Sequence, residues 1–210
     1  MDKPDDVPRS RRAFAICLAV TAVLTVVDLW SKSWALETLS AERLGDPPPV
    51  CEPDEQGYTS MQRARGDAIV VVDDLMELRY AENCGAAFGL LKEAPAWVRH
   101  SVFGLAAVIA SIALMLMFVR GRGGTYFAAA VPFIVSGAIG NLVDRLRYGY
   151  VVDFIRVYWD REIFGMREWP TFNVADITIT MGVVLLLIDG WLEGRKEKAA
   201  KQAAKAKATA

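Results

Sequence analysis

The chain has 210 residues, of which 53% are hydrophobic and 23% are charged, and its net charge at pH 7 is −1. A net charge so close to zero gives no reason to expect binding to nucleic acid. One histidine and three cysteines, without a Cys-x-x-Cys or His-Glu-x-x-His pattern, predict neither a metal site nor a cofactor.

Four apolar segments are long enough to cross a membrane, since a helix needs about 20 residues for a hydrocarbon core of ~30 Å. The first of them also resembles a secretory signal peptide, but no small-x-small cleavage site follows it, so we interpret it as an uncleaved span. The predicted spans are residues 13–36, 97–119, 126–143 and 173–191.

The distribution of charge predicts the orientation of these spans. Arginines and lysines lie before the first span, between the second and third, and after the fourth, and by the positive-inside rule these regions are cytoplasmic. Residues 37–96 instead hold twelve acidic against five basic residues, and we expect them to be extracytoplasmic, together with residues 144–172.

We therefore predict a mainly α membrane protein of four transmembrane helices, with both termini cytoplasmic and a small extracytoplasmic β-sheet with loops. Its parts are a cytoplasmic N-terminus at 1–12, a four-span domain at 13–192 and a cytoplasmic Lys/Ala-rich tail at 193–210.

The sheet is predicted from two runs in which apolar and polar residues alternate with period two. One run carries Met76, Leu78 and Tyr80 on the same face, and the other lies around residues 155–160. Residues 46–67 are rich in proline, glycine and charge, and this composition predicts a flexible surface loop.

The three cysteines leave two possibilities open. Cys51 and Cys84 both fall in the outer region, where an oxidising compartment permits a disulfide. A Cys84/His100 thiol dyad is an alternative, although a histidine at the membrane interface is the simpler interpretation. Cys17 lies within the first span and is typical of an inert packing residue.

Several charged or amide residues lie at membrane depth, where an ionised side chain costs about 2.5 to 3.5 kcal/mol on insertion scales unless it is paired. Asp28 and Lys32 are four residues apart, so they share a helical face and can neutralise each other. Asn141, Asp144 and Arg145 also share a face, and we expect them to form a hydrogen-bonded cluster that terminates the third span.

Asp153 and Asp176 have no cation at helical spacing and are flanked by apolar residues. Poor solvation should therefore raise the pKa of each carboxyl. If the two approach each other they will share a proton, and the pair can then act as acid and base on one substrate. The alternative is structural, with Asp153 in a loop and Asp176 at the start of a helix.

Five motifs together resemble those of bacterial lipoprotein signal peptidase, or signal peptidase II. They occur in the order and topological positions of that family, over about residues 13–192. The motifs are VDLWSK at 27–32, NCGAAF at 83–88, GAIGNLVDR at 137–145, VVDF at 151–154 and FNVAD at 172–176.

The resemblance implies a four-span aspartyl endopeptidase of the bacterial inner membrane, with its active site on the extracytoplasmic side. Such enzymes remove the signal peptide from diacylglyceryl-modified prolipoproteins by cutting before the lipobox cysteine. The expected partners are those substrates and membrane lipids, and we expect the enzyme to act as a monomer. The segment from the first-span motif to Asn83 is longer than expected for the family, by roughly residues 46–67.

By motif position the catalytic dyad falls on Asp153 and Asp176. The sheet and residues 85–91, beginning at Gly85, are candidates for gripping the peptide backbone, and Asn83 or Arg145 for stabilising the oxyanion. The remaining residues expected to support the dyad or contact substrate are Asn141, Asp144, Asn173, Ala175, Asp28 and Lys32.

Two rival classes have weaker support from the residues. Other intramembrane proteases carry a Gly-x-Gly-Asp, Gly-x-Ser-x-Gly or zinc signature, and none of these patterns is present. A small non-enzymatic transporter or scaffold, whose polar residues form a buried relay, is the alternative outside the enzymes.

Overall fold

The computed structural model describes residues 7–52, 59–85, 95–163 and 165–208. Within that part of the chain, four long helices form a bundle and short antiparallel strands cover one of its ends. The helices are α1 (Arg11–Thr38), α2 (Ala96–Val119), α3 (Thr125–Tyr148) and α4 (Val174–Ala208). The strands are β1 (Ser40–Ala41), β2 (Ala64–Arg65), β3 (Ile69–Val72), β4 (Met76–Asn83), β5 (Val151–Ile163) and β6 (Met166–Glu168).

All four helices are long and apolar enough to cross a membrane. Helix α3 lies at the centre and contacts the other three. Large apolar side chains on the outer faces remain exposed, as Leu105, Ile109 and Ile112 of α2 illustrate. A soluble monomer rarely exposes so much continuous apolar surface, so lipid is its expected environment. The predicted class, a mainly helical membrane protein with a small sheet, is confirmed.

Helix α3 runs to Tyr148, beyond the segment predicted to span the membrane. Asp144 and Arg145 end the apolar stretch of the sequence, but the helix continues to a left-handed Gly149, whose N–H donates to the carbonyl of Arg145. That Asn141, Asp144 and Arg145 close the membrane span stays a prediction, since the helix itself continues past them. They lie inside the helix, which tolerates a buried Asp144 because Lys32 of α1 pairs with it.

The larger sheet has the order β3-β4-β5-β6, and all its neighbours are antiparallel. Its central pair aligns Ala81 with Asp153 and Asn83 with Val151. Both predicted strands are thus confirmed in one sheet. The smaller sheet joins β1 to β2, so the segment predicted as a loop at 46–67 contains a short strand.

A buried apolar cluster attaches the larger sheet to the end of α1. Burying each large side chain contributes roughly 1.5 to 3 kcal/mol, so together these residues fix the sheet on the bundle. The cluster consists of Ala35, Leu39, Cys51, Tyr80, Tyr150, Val152, Phe154 and Ile155.

Cys51 and Cys84 form a disulfide, with their Cα atoms 5.3 Å apart. The bond links the 46–67 segment to the residue that follows β4. It also consumes the thiol that a Cys84/His100 dyad would need, so that alternative is wrong. Cys17 is a free, buried thiol that packs against Phe118 and Phe127, as predicted for an inert packing residue.

The end of the bundle next to the sheet is called the sheet end here, and the other is the turn end, where residues 120–124 join α2 to α3. A polar cluster holds the turn end together. Arg9 donates to the carbonyls of Arg122, Gly123 and Gly124, and a carboxylate oxygen of Asp189 accepts the N–H of Gly124 at 3.0 Å.

Candidate active site

Asp153 lies in β5 at the sheet end, where β4 and the start of α4 cover it. Its side chain is almost fully buried, at 2% exposure. Two amide groups donate to the carboxylate: Asn83 Nδ2 to Oδ2 at 2.9 Å and Asn173 Nδ2 to Oδ1 at 2.7 Å. The structural alternative of a loop carboxylate is wrong, because Asp153 belongs to a paired strand.

Asp176 lies in the first turn of α4 and forms a reciprocal cap with Asn173. The Asp176 N–H donates to Asn173 Oδ1 at 3.0 Å, and the Asn173 N–H donates to Asp176 Oδ2 at 3.2 Å. This is the arrangement of a capping box, which satisfies free N–H groups at a helix start. The other carboxylate oxygen, Oδ1, accepts Asn141 Nδ2 at 3.0 Å.

Asn173 connects the two aspartates. Its side chain is completely buried, and while its amide nitrogen donates to Asp153, its amide oxygen accepts the N–H of Asp176. The preceding residue, Phe172, exchanges backbone hydrogen bonds with Ile155 of β5 at 2.8 and 3.0 Å. The start of α4 is thereby fixed to the strand that carries Asp153, and this attachment brings the two carboxyl groups to one place.

The surroundings of Asp153 favour its neutral form. Burial raises the pKa of this carboxyl to about 8, and repulsion from Asp176 acts in the same direction. The hydrogen bonds from Asn83 and Asn173 oppose the shift by stabilising the charged form. The predicted rise in the pKa of Asp153 is confirmed, and the shift favours the protonated carboxyl.

Lys32, buried in α1, supplies a positive charge to the site. Its Nζ lies 2.9 Å from Asp28, 3.2 Å from Asp144 and 2.8 Å from the side-chain oxygen of Asn141. The predicted Asp28/Lys32 pair is confirmed, but the sequence did not reveal that the same ammonium group also contacts two residues of α3.

Each of these three partners of Lys32 makes a further hydrogen bond, either to Asp176 itself or to the residue beside Asp176 or Asp153. Asp28 accepts the N–H of Ala175 at 2.7 Å, next to Asp176, and Asp144 accepts the N–H of Val152 at 3.0 Å, next to Asp153. Asn141 donates directly to Asp176. Lys32 is therefore the centre of a network that fixes both aspartates.

Gly140 is a residue of this site that the sequence analysis did not single out. A Cβ at this position would collide with the Asp28 carboxylate. The signal was available in hindsight, because a helix interior usually disfavours glycine unless a close approach requires it.

A cleft of ≈ 300 Å³ opens beside Asp176. Arg145 borders it, with its guanidinium held by the carbonyl of Asn141 at 3.1 Å. Gly85 also borders the cleft, and its N–H donates to Asn83 Oδ1 at 3.1 Å. The predicted gripping segment at 85–91 continues beyond Gly85 into residues outside the described part of the chain.

Two further apolar clefts, each of ≈ 360 Å³, share lining residues with this one. The first runs between α2 and α3 and shares Asn141, Arg145 and Ile179. The second lies against α4 and shares Trp169, Phe172, Asp176 and Thr180. Asp176 thus borders a cleft of mixed polar and apolar lining, which continues into apolar clefts along the helices.

Comparison with known proteins gives consistent matches. The family model described as signal peptidase (SPase) II matches residues 20–192. A lipoprotein signal peptidase of Pseudomonas putida is 42% identical over 130 residues, covering 61% of this chain and 73% of that protein. One from Syntrophus aciditrophicus is 35% identical over 133 residues, covering 63% and 79%. A solved bacterial membrane enzyme is 25% identical with a TM-score of 0.60, covering 88% of this chain and 92% of that chain.

Proposed function

Because the chain belongs to the signal peptidase II family of proteases, we propose that it is a membrane aspartic endopeptidase acting on diacylglyceryl-modified prolipoproteins. It removes the signal peptide by cutting before the lipobox cysteine, and Asp153 and Asp176 are its catalytic pair. Membership of a protease family argues against the non-enzymatic transporter or scaffold.

One observation carries the proposal: Asn173 donates to both carboxylates, from its side-chain amide to Asp153 and from its backbone N–H to Asp176, and Asp176 borders a cleft. Their environments differ in the way that acid and base chemistry requires. Asp153 is buried and neutral, whereas Asp176 lies at a helix N-terminus, where negative charge is favoured, and borders the cleft.

The roles of the two aspartates follow from this difference in environment. Asp176 takes a proton from a water in the cleft, which then attacks the scissile carbonyl. Asp153 donates its proton to the carbonyl oxygen. Arg145 and the Asn83 amide, both at the cleft, stabilise the negative charge that develops there.

The substrate class fits the surroundings of the dyad. A diacylated substrate keeps its acyl chains and signal helix in the membrane, so its scissile bond lies at the interface. The apolar clefts beside α2 and α4 offer hydrocarbon contacts on either side of Asp176. Relatives at about 40% identity bear the name lipoprotein signal peptidase, and this supports the same class.

The positive charges at the turn end and in the part of α4 beyond residue 192 support cytoplasmic termini in a bacterial inner membrane. The active site would then face the extracytoplasmic side. One chain supplies both aspartates and the network around them, which supports action as a monomer.

The test is cleavage of a diacylglyceryl-modified prolipoprotein in detergent by the wild type, Asp153→Asn and Asp176→Asn, with Asp189→Asn as a matched control. Asp189 is also a buried acid in the bundle, but it lies at the turn end. We expect both dyad variants to lose at least about a thousandfold in kcat, while the control keeps its activity.

Two results would contradict the proposal. A folded dyad variant with near-normal turnover would show that its aspartate is structural. A wild type that fails to cut before the lipidated cysteine would exclude the proposed substrate.

A further inference from the structure

We propose that the Cys51–Cys84 disulfide is a positioning element of the active site, which holds the Asn83 amide against Asp153 and makes turnover depend on its oxidation state. The inference rests on the proposed function, because it takes Asp153 to be one of the two catalytic acids. It concerns the long 46–67 segment, for which the dyad chemistry alone gives no role.

The disulfide lies where the β-ladder between β4 and β5 ends. Asn83 is the last residue of β4 and pairs with Val151 of β5. Cys84 follows directly, and its sulfur is bonded to Cys51. The disulfide therefore fixes the chain at the point where its register with β5 stops.

Two hydrogen bonds orient the Asn83 amide. Its oxygen accepts the N–H of Gly85 at 3.1 Å, and its nitrogen donates to Asp153 at 2.9 Å. Cys84 stands between the two residues that make this contact. If Cys84 moves, Gly85 moves with it, and the amide loses the bond that directs its nitrogen towards Asp153.

The other side of the cross-link is buried in the core. Cys51 is 1% exposed and packs in the core cluster beside Tyr80. Farther along the same segment, the carboxylate of Glu82 in β4 accepts the N–H groups of Gln62 at 2.7 Å and Arg63 at 2.9 Å. The disulfide thus connects Asn83 to a part of the fold that is anchored to β4 independently.

Reduction should then weaken the site without removing either aspartate. A dithiol reductant breaks the S–S bond, gives a thiol on Cys51 and a thiol on Cys84, and is itself oxidised to a disulfide. The Asn83 hydrogen bond opposes the rise in the pKa of Asp153, so its loss raises that pKa further. The change should be visible in the pH dependence of the reaction.

The experiment compares oxidised and dithiothreitol-reduced enzyme in a Cys17→Ala background, which removes the free thiol in α1 that lies outside the site. Alkylation and mass spectrometry count the thiols, and thermal unfolding checks the fold. We expect kcat to fall about tenfold on reduction with KM within a factor of about two, as for loss of one hydrogen bond. The alkaline limb of the kcat profile should move to higher pH.

A Cys51→Ala/Cys84→Ala variant gives the same comparison without reductant. Combined with Asn83→Ala it closes a double-mutant cycle. If the disulfide acts through Asn83, its removal from Asn83→Ala should cost no further activity. A merely structural cross-link would instead give additive losses and an unmoved alkaline limb.

Unchanged kcat in the reduced, folded enzyme would overturn the proposal, as would additive losses in the cycle. Failure of the proposed function looks different, because the oxidised Cys17→Ala enzyme would then not cut the lipidated substrate at all. Should the double cysteine variant fail to fold, the reduced Cys17→Ala enzyme still decides the outcome.

Discussion

The two ends of the helical bundle each combine a buried acid with a cation, but they use them differently. At the turn end, Asp189 accepts a backbone N–H of the α2–α3 turn, and Arg9 donates to the carbonyls of that turn. At the sheet end, Lys32 contacts the side chains of Asp28, Asp144 and Asn141, and these reach towards Asp153 and Asp176.

This difference shows why burial of a charged residue is a poor marker of function by itself. The polar groups at the turn end bond to backbone and hold a turn. Those at the sheet end bond to side chains that lead to two carboxyl groups beside a cleft. The predictions that follow change one residue at each end, so that stability and activity can be separated.

The largest expected effect on stability is that of Lys32→Met. The change leaves Asp28 and Asp144 buried without their cation, and breaking a buried pair in this way costs about 3 to 5 kcal/mol. The matched change Arg9→Met should cost less, because its partners are carbonyls of a surface turn. Midpoints of thermal unfolding in detergent provide the measurement, and equal losses would contradict the comparison.

The next effect is a pH-dependent gain in stability for Asp153→Asn. The folded pKa of about 8 is above the ordinary aspartate value of 3.8, so the stability due to the protonated form is fully present below about pH 4 and lost as pH rises to about 8. The variant avoids that loss, which grows by about 1.4 kcal/mol for each pH unit between the two pKa values.

Unfolding midpoints of the wild type and Asp153→Asn between pH 5 and 9 test this prediction. The difference in favour of the variant should grow up to about pH 8 and then level off. Asp189→Asn serves as the control at the turn end, and a constant difference for Asp153→Asn would contradict the raised pKa.

A smaller effect is expected for two glycines that each face a buried acid. A Cβ at Gly140 would collide with Asp28, and one at Gly124 would lie 2.6 Å from Asp189. Gly140→Ala and Gly124→Ala should each cost about 1 to 3 kcal/mol of stability through overpacking. Only Gly140→Ala should also lower kcat, because Asp28 holds the start of α4. Equal kcat values for both would contradict the separation of the two ends.

The smallest effect on stability is expected at two helix N-caps. Ser10 caps α1 by accepting the N–H of Ala13 at 3.2 Å, and Ser10→Ala should cost about 1 kcal/mol with no change in activity. Asn173→Ser keeps a capping side chain on α4 but removes the amide that bonds to Asp153. Its stability should fall by about 1 kcal/mol, as for Ser10→Ala, because buried acceptors lose their donor, while kcat falls about tenfold or more.

Steady-state kinetics and unfolding midpoints, measured on the same preparations, distinguish the two roles. If Asn173→Ser lost stability and activity in parallel, as a pure capping residue would, the bridge between the aspartates would have no catalytic meaning.

The sequence predicted the four helices well because a membrane imposes length and hydropathy on each of them. It also predicted the two central strands, whose alternation around Met76 and Ile155 is clear. It did not predict that α3 continues past Asp144 and Arg145 as far as Tyr148, because these two residues follow the apolar part of the segment. Asp144 is paired with Lys32, which lies far away in the chain and contacts it only after folding.

The site likewise divides into contacts that the local sequence predicts and contacts that only the fold creates. Neighbours at helical spacing, such as Asp28 and Lys32, were predictable as a pair. Bonds between distant segments, such as Asn173 to Asp153 or Val152 to Asp144, depend on the packing of α4 and the sheet and have no local signal. The disulfide was possible from cysteine placement alone, but only the fold brings Cys51 and Cys84 within bonding distance.

The capping box at the start of α4 has a consequence for the catalytic cycle. On the proposed mechanism, the proton taken from water arrives on Asp176, whose carboxylate also closes the first turn of α4 by accepting the N–H of Asn173. Neutralising that carboxylate weakens the cap, so the protonated intermediate is the less stable form of the helix start. When the tetrahedral intermediate collapses, Asp176 gives this proton to the leaving amine and the hydroxyl group returns its proton to Asp153, so the same step that breaks the peptide bond restores the cap of α4.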